Sequence, residues 1–429
     1  MTQNSSPALP SGRRGTTLLG TVLTQLGAGT AYVWSMFNSP LAGRFYGASA
    51  VQHNPNLTFS LAVTFSIMMF ALSASTLSIG WLQAKFGVRK VVMACGVLLG
   101  VGFFVSAFAS NVWVLYIFAG LVAGVGDGIS YLLSLTNCLR WYPDKAGTVS
   151  GICVGAYGIP AILLPLVLQP ILNGAGASTA MIVWAIIAAV LVIPGGLLLA
   201  DAPIVKKSGV AAVSGEYTVG QMLHTKQAYM LYIALIAAAF SGQYVIGNVG
   251  NATKIAVPAL AVGVISMVSL VGFVNTIGRF ALGWLSDRMK RTLLVGVVLA
   301  ALAIFAFALG FSWVPPTWLF VVGFLLLGFG FGGTITIFPT IVGEFYGKNN
   351  QSKNYSVIYT GFAVAALITL VLNGLRVPFN VSFPIGGVII AIGAVLMLII
   401  RAPQSQVRAP QPQVRAPQSQ KTPGHEPVL

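Results

Sequence analysis

Charge is what this sequence has least of: only 7% of its 429 residues are Asp, Glu, Lys or Arg. A soluble domain carries roughly 25%, so water cannot be the main solvent of this chain. Acid is scarcer still, 7 Asp and Glu against 23 Lys and Arg. The three cysteines, Cys95, Cys138 and Cys153, have no metal-ligand spacing and read as packing thiols. None of the three histidines, His53, His224 and His425, falls in an apolar run, and no nucleophile stands near a candidate base, so catalysis has no support in the sequence. No cofactor or metal is expected, and the chain reads as a non-enzyme.

What is abundant is apolar sequence: 56% hydrophobic residues and a mean hydropathy of +0.87. Runs of roughly 20 residues, each able to cross about 30 Å of hydrocarbon as a helix, follow one another along the chain. Twelve spans are expected, at 17–40, 57–83, 90–110, 112–139, 147–172, 178–200, 227–251, 258–285, 292–312, 315–343, 354–375 and 381–401. The fold class is therefore an all-α membrane protein of two six-helix bundles. The expected organisation is a cytoplasmic N-terminus (1–16), a first bundle (17–200), a cytoplasmic linker (201–226), a second bundle (227–401) and a tail (402–429). That tail repeats VRAPQ-like units with little apolar surface to bury, and is expected to be disordered.

Lys and Arg are retained on the cytoplasmic side of a membrane. With the N-terminus placed inside, all of the 23 basic residues except Arg44, Lys254, Arg376 and Arg279 fall on the cytoplasmic face. The +16 charge is thus mainly a topology signal, and nucleic acid is not an expected partner. Both termini are expected in the cytoplasm and the chain in the inner membrane. Arg13 and Arg14 precede a run of full span length with no cleavage site after it, which favours a first membrane helix over an export signal. The glycines at 328, 330, 332 and 333 sit inside a span with no strand before them, so they suit close helix packing and not a dinucleotide loop.

The two halves repeat each other. GWLQAKFGVRK (80–90) after the second span has a counterpart in GWLSDRMKR (283–291) after the eighth. A chain built from two such copies can open a central site alternately to either side. The first of these turns resembles the signature of the major facilitator superfamily, Gly-x-Leu-x-Asp-(Arg/Lys)-x-Gly-x-(Arg/Lys)-(Arg/Lys). It departs from that pattern at Ala84, where the acid is expected, while Asp287 keeps the acid in the second copy. Gly80, Lys85, Arg89, Asp287 and Arg288 are then the turn residues, with Glu344 an interfacial gate or turn residue. RWYPDKAGTVSGICVGAYG (140–158), NTIGRFALGWLSD and EFYGKNNQSKNYS (344–356) resemble the oxalate:formate antiporters and the monocarboxylate transporters. The resemblance implies a secondary transporter of a small monocarboxylate of the lactate or pyruvate type, coupled to a proton and working as a monomer. Exchange of one organic anion for another is the alternative, and a non-transporting sensor a more distant one.

Two charged residues lie deep in spans, Arg279 and Asp127, and such residues are costly enough to mark a functional path. Arg279 stands eight residues before Asp287, roughly 12 Å of helix, so its head does not reach water easily. A guanidinium stays protonated and offers two parallel N–H donors that match a carboxylate. The resemblance gives the eighth-span Arg the same role. Asn275, one turn earlier, is a candidate partner for a substrate hydroxyl. Where the oxalate exchangers have a second cation, alignment on Asn354 and Tyr355 places Phe362. One cation without a second implies a monocarboxylate, because a second carboxylate would be buried unpaired. Tyr32, Tyr131, Tyr157, Phe331, Tyr359 and Phe362 are the expected aromatic lining, ordinary packing being the plain alternative. The proton relay of the animal carriers does not transfer, since their acid before the Arg is Asn275 here and their first-span Lys gives way to Met36 or a neighbour. Asp127, or the substrate carboxylate itself, is the candidate proton carrier, with a purely structural Asp127 as the alternative.

Overall fold

A computed structural model describes residues 11–47, 49–50, 59–203, 216–256, 267–312, 316–375 and 377–403, and among these every regular element is helical. The helices are α1 (Ser11–Ala28), α2 (Phe59–Ser75), α3 (Ile79–Ala107), α4 (Ala123–Trp141), α5 (Ala146–Gly158), α6 (Gly176–Leu198), α7 (Lys226–Ala256), α8 (Met267–Leu285), α9 (Arg291–Phe311), α10 (Thr317–Tyr346), α11 (Gln351–Tyr359) and α12 (Phe379–Ile399). Pro160–Gly174 continues α5, and Gly361–Gly374 continues α11. Much of the expected linker and all of the tail beyond 403 lie outside the described residues.

Helices dominate because hydrocarbon offers no partner for a bare N–H or C=O, and a helix satisfies its own. Polarity is accordingly inverted relative to a soluble protein. Ile304, Leu166, Val190 and Val395 are exposed, whereas Asp127, Asn137, Asn354 and Gln25 are fully buried. Departures from straight helix have local causes. Gly87 adopts φ +78°, a conformation that suits glycine, and the turn there separates the end of the second span from the third. The first span does not run as one α-helix: Gly29–Phe37 is 3-10, and Asn38–Tyr46 resumes the α form. At Gly29 the chain lies directly on the backbone of Tyr157, whose carbonyl oxygen leaves no room for a Cβ.

The packing is duplicated. Within the first half α3 pairs with α6, α1 with α6 and α2 with α4, and the second half repeats this as α9 with α12, α7 with α12 and α8 with α10. The seam between halves follows the same rule, α5 against α8 and α2 against the continuation of α11. Along the first contact Gly147, Gly151, Gly155 and Gly158 of α5 face α8. Missing side chains there bring the two helices into backbone contact.

Candidate functional site

Arg279 lies on α8 beside that seam, only 2% exposed. Its Nη1 donates to the carbonyl of Val154 on α5 at 2.7 Å, and its Nε to Asn275 Oδ1 at 3.1 Å. Asn275 Nδ2 in turn donates to the Gly328 carbonyl of α10 at 2.9 Å. The cation is therefore held by neutral acceptors from both halves, and its head does not run to the membrane surface. Asn275 thus helps to orient the guanidinium. Its expected part as a partner for a substrate hydroxyl would fall to the second N–H and second lone pair of the amide.

Beside Arg279 is a narrow cavity lined by Met69, Leu72, Tyr131, Tyr157, Phe331, Ile335, Tyr359 and Phe362 as well as the arginine. Five of the six expected aromatics thus converge on one space. The sixth, Tyr32, has a side chain outside the described residues. Tyr131 meets Tyr157 edge-on at 4.8 Å and tilts toward Tyr359 at 5.7 Å, while Tyr359 stacks on Phe362 at 5.3 Å. Arg279 is the single charged residue among the described residues of the lining. A low-dielectric pocket with one fixed guanidinium favours a small anion with an apolar tail.

Asp127 is not part of that lining. It is fully buried on α4 and accepts from the Tyr157 hydroxyl, at 3.2 and 3.1 Å to its two oxygens. The Tyr157 ring in turn lies under the Arg279 guanidinium, 5.9 Å from centroid to Cζ. Acid and base do not pair directly; one tyrosine stands between them. Sequence reasoning passed over Met69, Leu72 and Ile335. Ile335 follows Phe331 by one turn and was open to discovery by spacing, but α2 is apolar all round and gives no such signal.

At the end of the bundle that carries the basic turns, the halves are joined below the cavity. Ser73 donates to the Tyr359 carbonyl at 3.1 Å, Thr136 and Ser352 share a hydrogen bond of 2.7 Å, and Ser150 donates to the Thr336 carbonyl at 2.6 Å. Gly80 packs on the stem of Lys353. Asp287 accepts from Gly147 N at 2.8 Å and from Thr148 N and Oγ1 at 2.7 Å each, so it caps α5 across the seam. Arg291 pairs with Asp287 at 2.6 Å and also with Glu344. Lys85 lies on the rings of Trp81 and Phe86, and Arg288 on that of Trp284. In the first half, Arg89 donates to the Leu199 carbonyl, and Asp201 accepts from Val88 N and Gln83, tying the turn to its own bundle.

Burial pushes the Asp287 carboxyl up, but the bonds from Thr148, Gly147 and Arg291 outweigh it and hold the group below its ordinary value of 3.8. A lowered folded pKa means that the stabilisation is present above the ordinary value and disappears as pH falls through the folded one. Asp287→Asn should therefore lower the thermal midpoint at pH 7 and lose that difference well below the carboxyl's ordinary value of 3.8. At neutral pH the loss should weaken closure of this end roughly tenfold, since a hydrogen bond to a charged group contributes about 1.5–3 kcal/mol. Thermal unfolding of both proteins at the two pH values tests this, and equal midpoints at pH 7 would contradict it.

Twelve packed helices among the described residues, apolar on the outside and closed around an aromatic cavity with one cation, are the architecture of a multi-pass membrane protein. The Major Facilitator Superfamily pattern matches residues 17–308 and 231–427, and the chain belongs to that family of secondary transporters. It is 33% identical over 352 residues to the uncharacterized MFS-type transporter YhjX of Escherichia coli K12, covering 82% of this chain and 85% of that one. It is 25% identical over 362 residues to the oxalate:formate antiporter of Oxalobacter formigenes, 82% and 81% of the two chains. Human monocarboxylate transporter 11 is 30% identical over 213 residues, 48% of this chain and 44% of that one. In fold it is similar to the proton:xylose symporter XylE, with TM-score 0.70 at 16% identity over 91% and 96% of the chains. The Escherichia coli fucose:proton symporter gives 0.66 at 11%, over 89% and 97%.

Proposed function

We propose that this protein carries a small monocarboxylate of the lactate or pyruvate type together with a proton across the cytoplasmic membrane by alternating access. The observation that carries the reading is the Arg279 guanidinium, the one charged group among the described residues that line the aromatic cavity. The substrate carboxylate meets the charge of the Arg279 guanidinium, and its short apolar tail lies among Tyr359, Phe362, Phe331 and Met69. Both termini and the basic turns are placed in the cytoplasm, and the working unit is a monomer. Asp127 is the proposed proton carrier, since among the described residues it is the acid nearest the cavity.

Labelled lactate uptake by purified protein in liposomes, with an imposed pH gradient and no internal anion, tests the proposal. Accumulation above equilibrium supports it; uptake only with an internal counter-anion supports exchange instead. That second reading has the relative at 25% identity named as an oxalate:formate antiporter behind it.

Valence is tested separately at Phe362, which stacks on Tyr359 within the cavity wall. A lysine there adds a second cation to the pocket. Phe362→Lys is expected to reduce lactate uptake by roughly tenfold or more, because a buried charge then lacks a partner. It should also make oxalate a competitive inhibitor where the parent ignores it. Inhibition of the parent by oxalate at the same concentration as lactate would remove the valence argument.

A further inference from the structure

We propose that Tyr157 is a proton-gated donor: protonation of Asp127 releases the tyrosine hydroxyl from that carboxylate and turns it to the substrate carboxylate on Arg279. The inference rests on the symport reading above and assigns the residue through which proton and substrate sense each other.

Three positions carry it. Asp127 is fully buried and outside the cavity lining, so a proton from the cavity has no direct route to it. Tyr157 belongs to both places, its ring in the lining and its hydroxyl on both Asp127 oxygens. The same ring lies against Arg279. A phenol has one proton to donate and an oxygen that accepts. While Asp127 is ionised, that one proton is committed to it.

The transfer balances without any co-reactant. A proton from the cavity binds the phenol oxygen as the phenol's own hydrogen passes to Asp127, and the tyrosine is left neutral. Asp127, now a carboxylic acid, donates to the phenol oxygen. The phenol O–H then points away from the acid, toward the cavity. One proton has entered, and a new donor faces the monoanion. Substrate in turn favours the protonated acid, because coupling of two binding events is reciprocal.

Other titratable groups do not substitute for this pair. Facing Asp127 from α3 is Cys95, within electrostatic range, and from α5 Tyr157, with Arg279 of α8 beyond it. α1 and α2 bring Gln25, Met68 and Leu72 to this part of α4, none of which titrates. Tyr131 and Tyr359 belong to the cavity wall further on.

The test is L-lactate affinity by isothermal titration of the purified full chain between pH 5.5 and 8, for wild type, Tyr157→Phe, Asp127→Asn and Arg279→Ala. Wild type should bind more tightly as pH falls, approaching tenfold per pH unit for a single linked proton. Tyr157→Phe keeps the ring against Arg279 and removes only the hydroxyl; its affinity should stay at the weak, high-pH limit with the slope gone. Asp127→Asn should abolish the slope as well. A Tyr157→Phe protein that retains the wild-type slope overturns the inference, as does a wild type with Arg279-dependent binding and no slope. Absence of lactate binding by wild type, or binding indifferent to Arg279→Ala, instead overturns the functional reading beneath it.

Discussion

Arg279→Ala should reduce lactate uptake into liposomes by roughly a hundredfold or more, the equivalent of about 3 kcal/mol or above. Two losses add. A buried anion without its partner costs about 2–5 kcal/mol, and the Val154 and Asn275 oxygens are left as buried acceptors without their donor, at about 1–3 kcal/mol each. The second loss destabilises the empty protein as well, so folding is to be checked by thermal midpoint beside the transport assay. Arg279→Lys preserves the charge and loses the fork, and should fall between the two, at roughly tenfold below wild type. Uptake by the alanine protein within threefold of wild type would refute the assignment of this residue.

Gly151→Val should be nearly as damaging to transport while touching no ligand. A Cβ at this position stands 2.9 Å from the Arg279 carbonyl oxygen, 3.4 Å from Gly283 Cα and 3.5 Å from the Phe280 carbonyl oxygen. All three are backbone atoms, which cannot step aside by changing rotamer. The added methyls must part α5 from α8, and overpacking of this kind costs about 1–3 kcal/mol. The cost falls on the conformation in which the basic end is sealed, so turnover should drop roughly 5- to 150-fold. Gly174→Val is the control: nothing lies within 4 Å of its position, and its transport should stay within about twofold. Equal activity of the two variants would show that close contact along this seam is dispensable.

The spans were legible because hydrocarbon imposes one requirement, uninterrupted apolar length, that leaves its mark on every window of the sequence. Arg279 was legible for the complementary reason: it is a cation that neither face of the membrane accounts for. The repeat between residues 80–90 and 283–291 pointed to the duplicated packing before any contact was known. What sequence withheld were relations between helices. Asn275 shares a face with Arg279, and the Gly328 carbonyl that accepts from its amide comes from another helix. Tyr157 and Asp127 are 30 residues apart and bond through side chains of adjacent helices. No periodicity within either helix encodes that meeting. Likewise the close approach of Gly29 to the Tyr157 backbone, where the 3-10 course of Gly29–Phe37 begins, joins two helices distant in sequence.

The two basic turns descend from one pattern yet have taken different employment. The first has given up its acid at Ala84 and is braced from within its own half by Asp201. The second has kept Asp287 and reaches across to α5. In the proposed alternating access the first turn travels as a passenger with every bond to Asp201 intact. The second must surrender its grip on Gly147 and Thr148, with Arg291 at hand to keep the exposed carboxylate company. A machine made of two like parts has thus divided its labour, one copy serving as chassis and the other as catch.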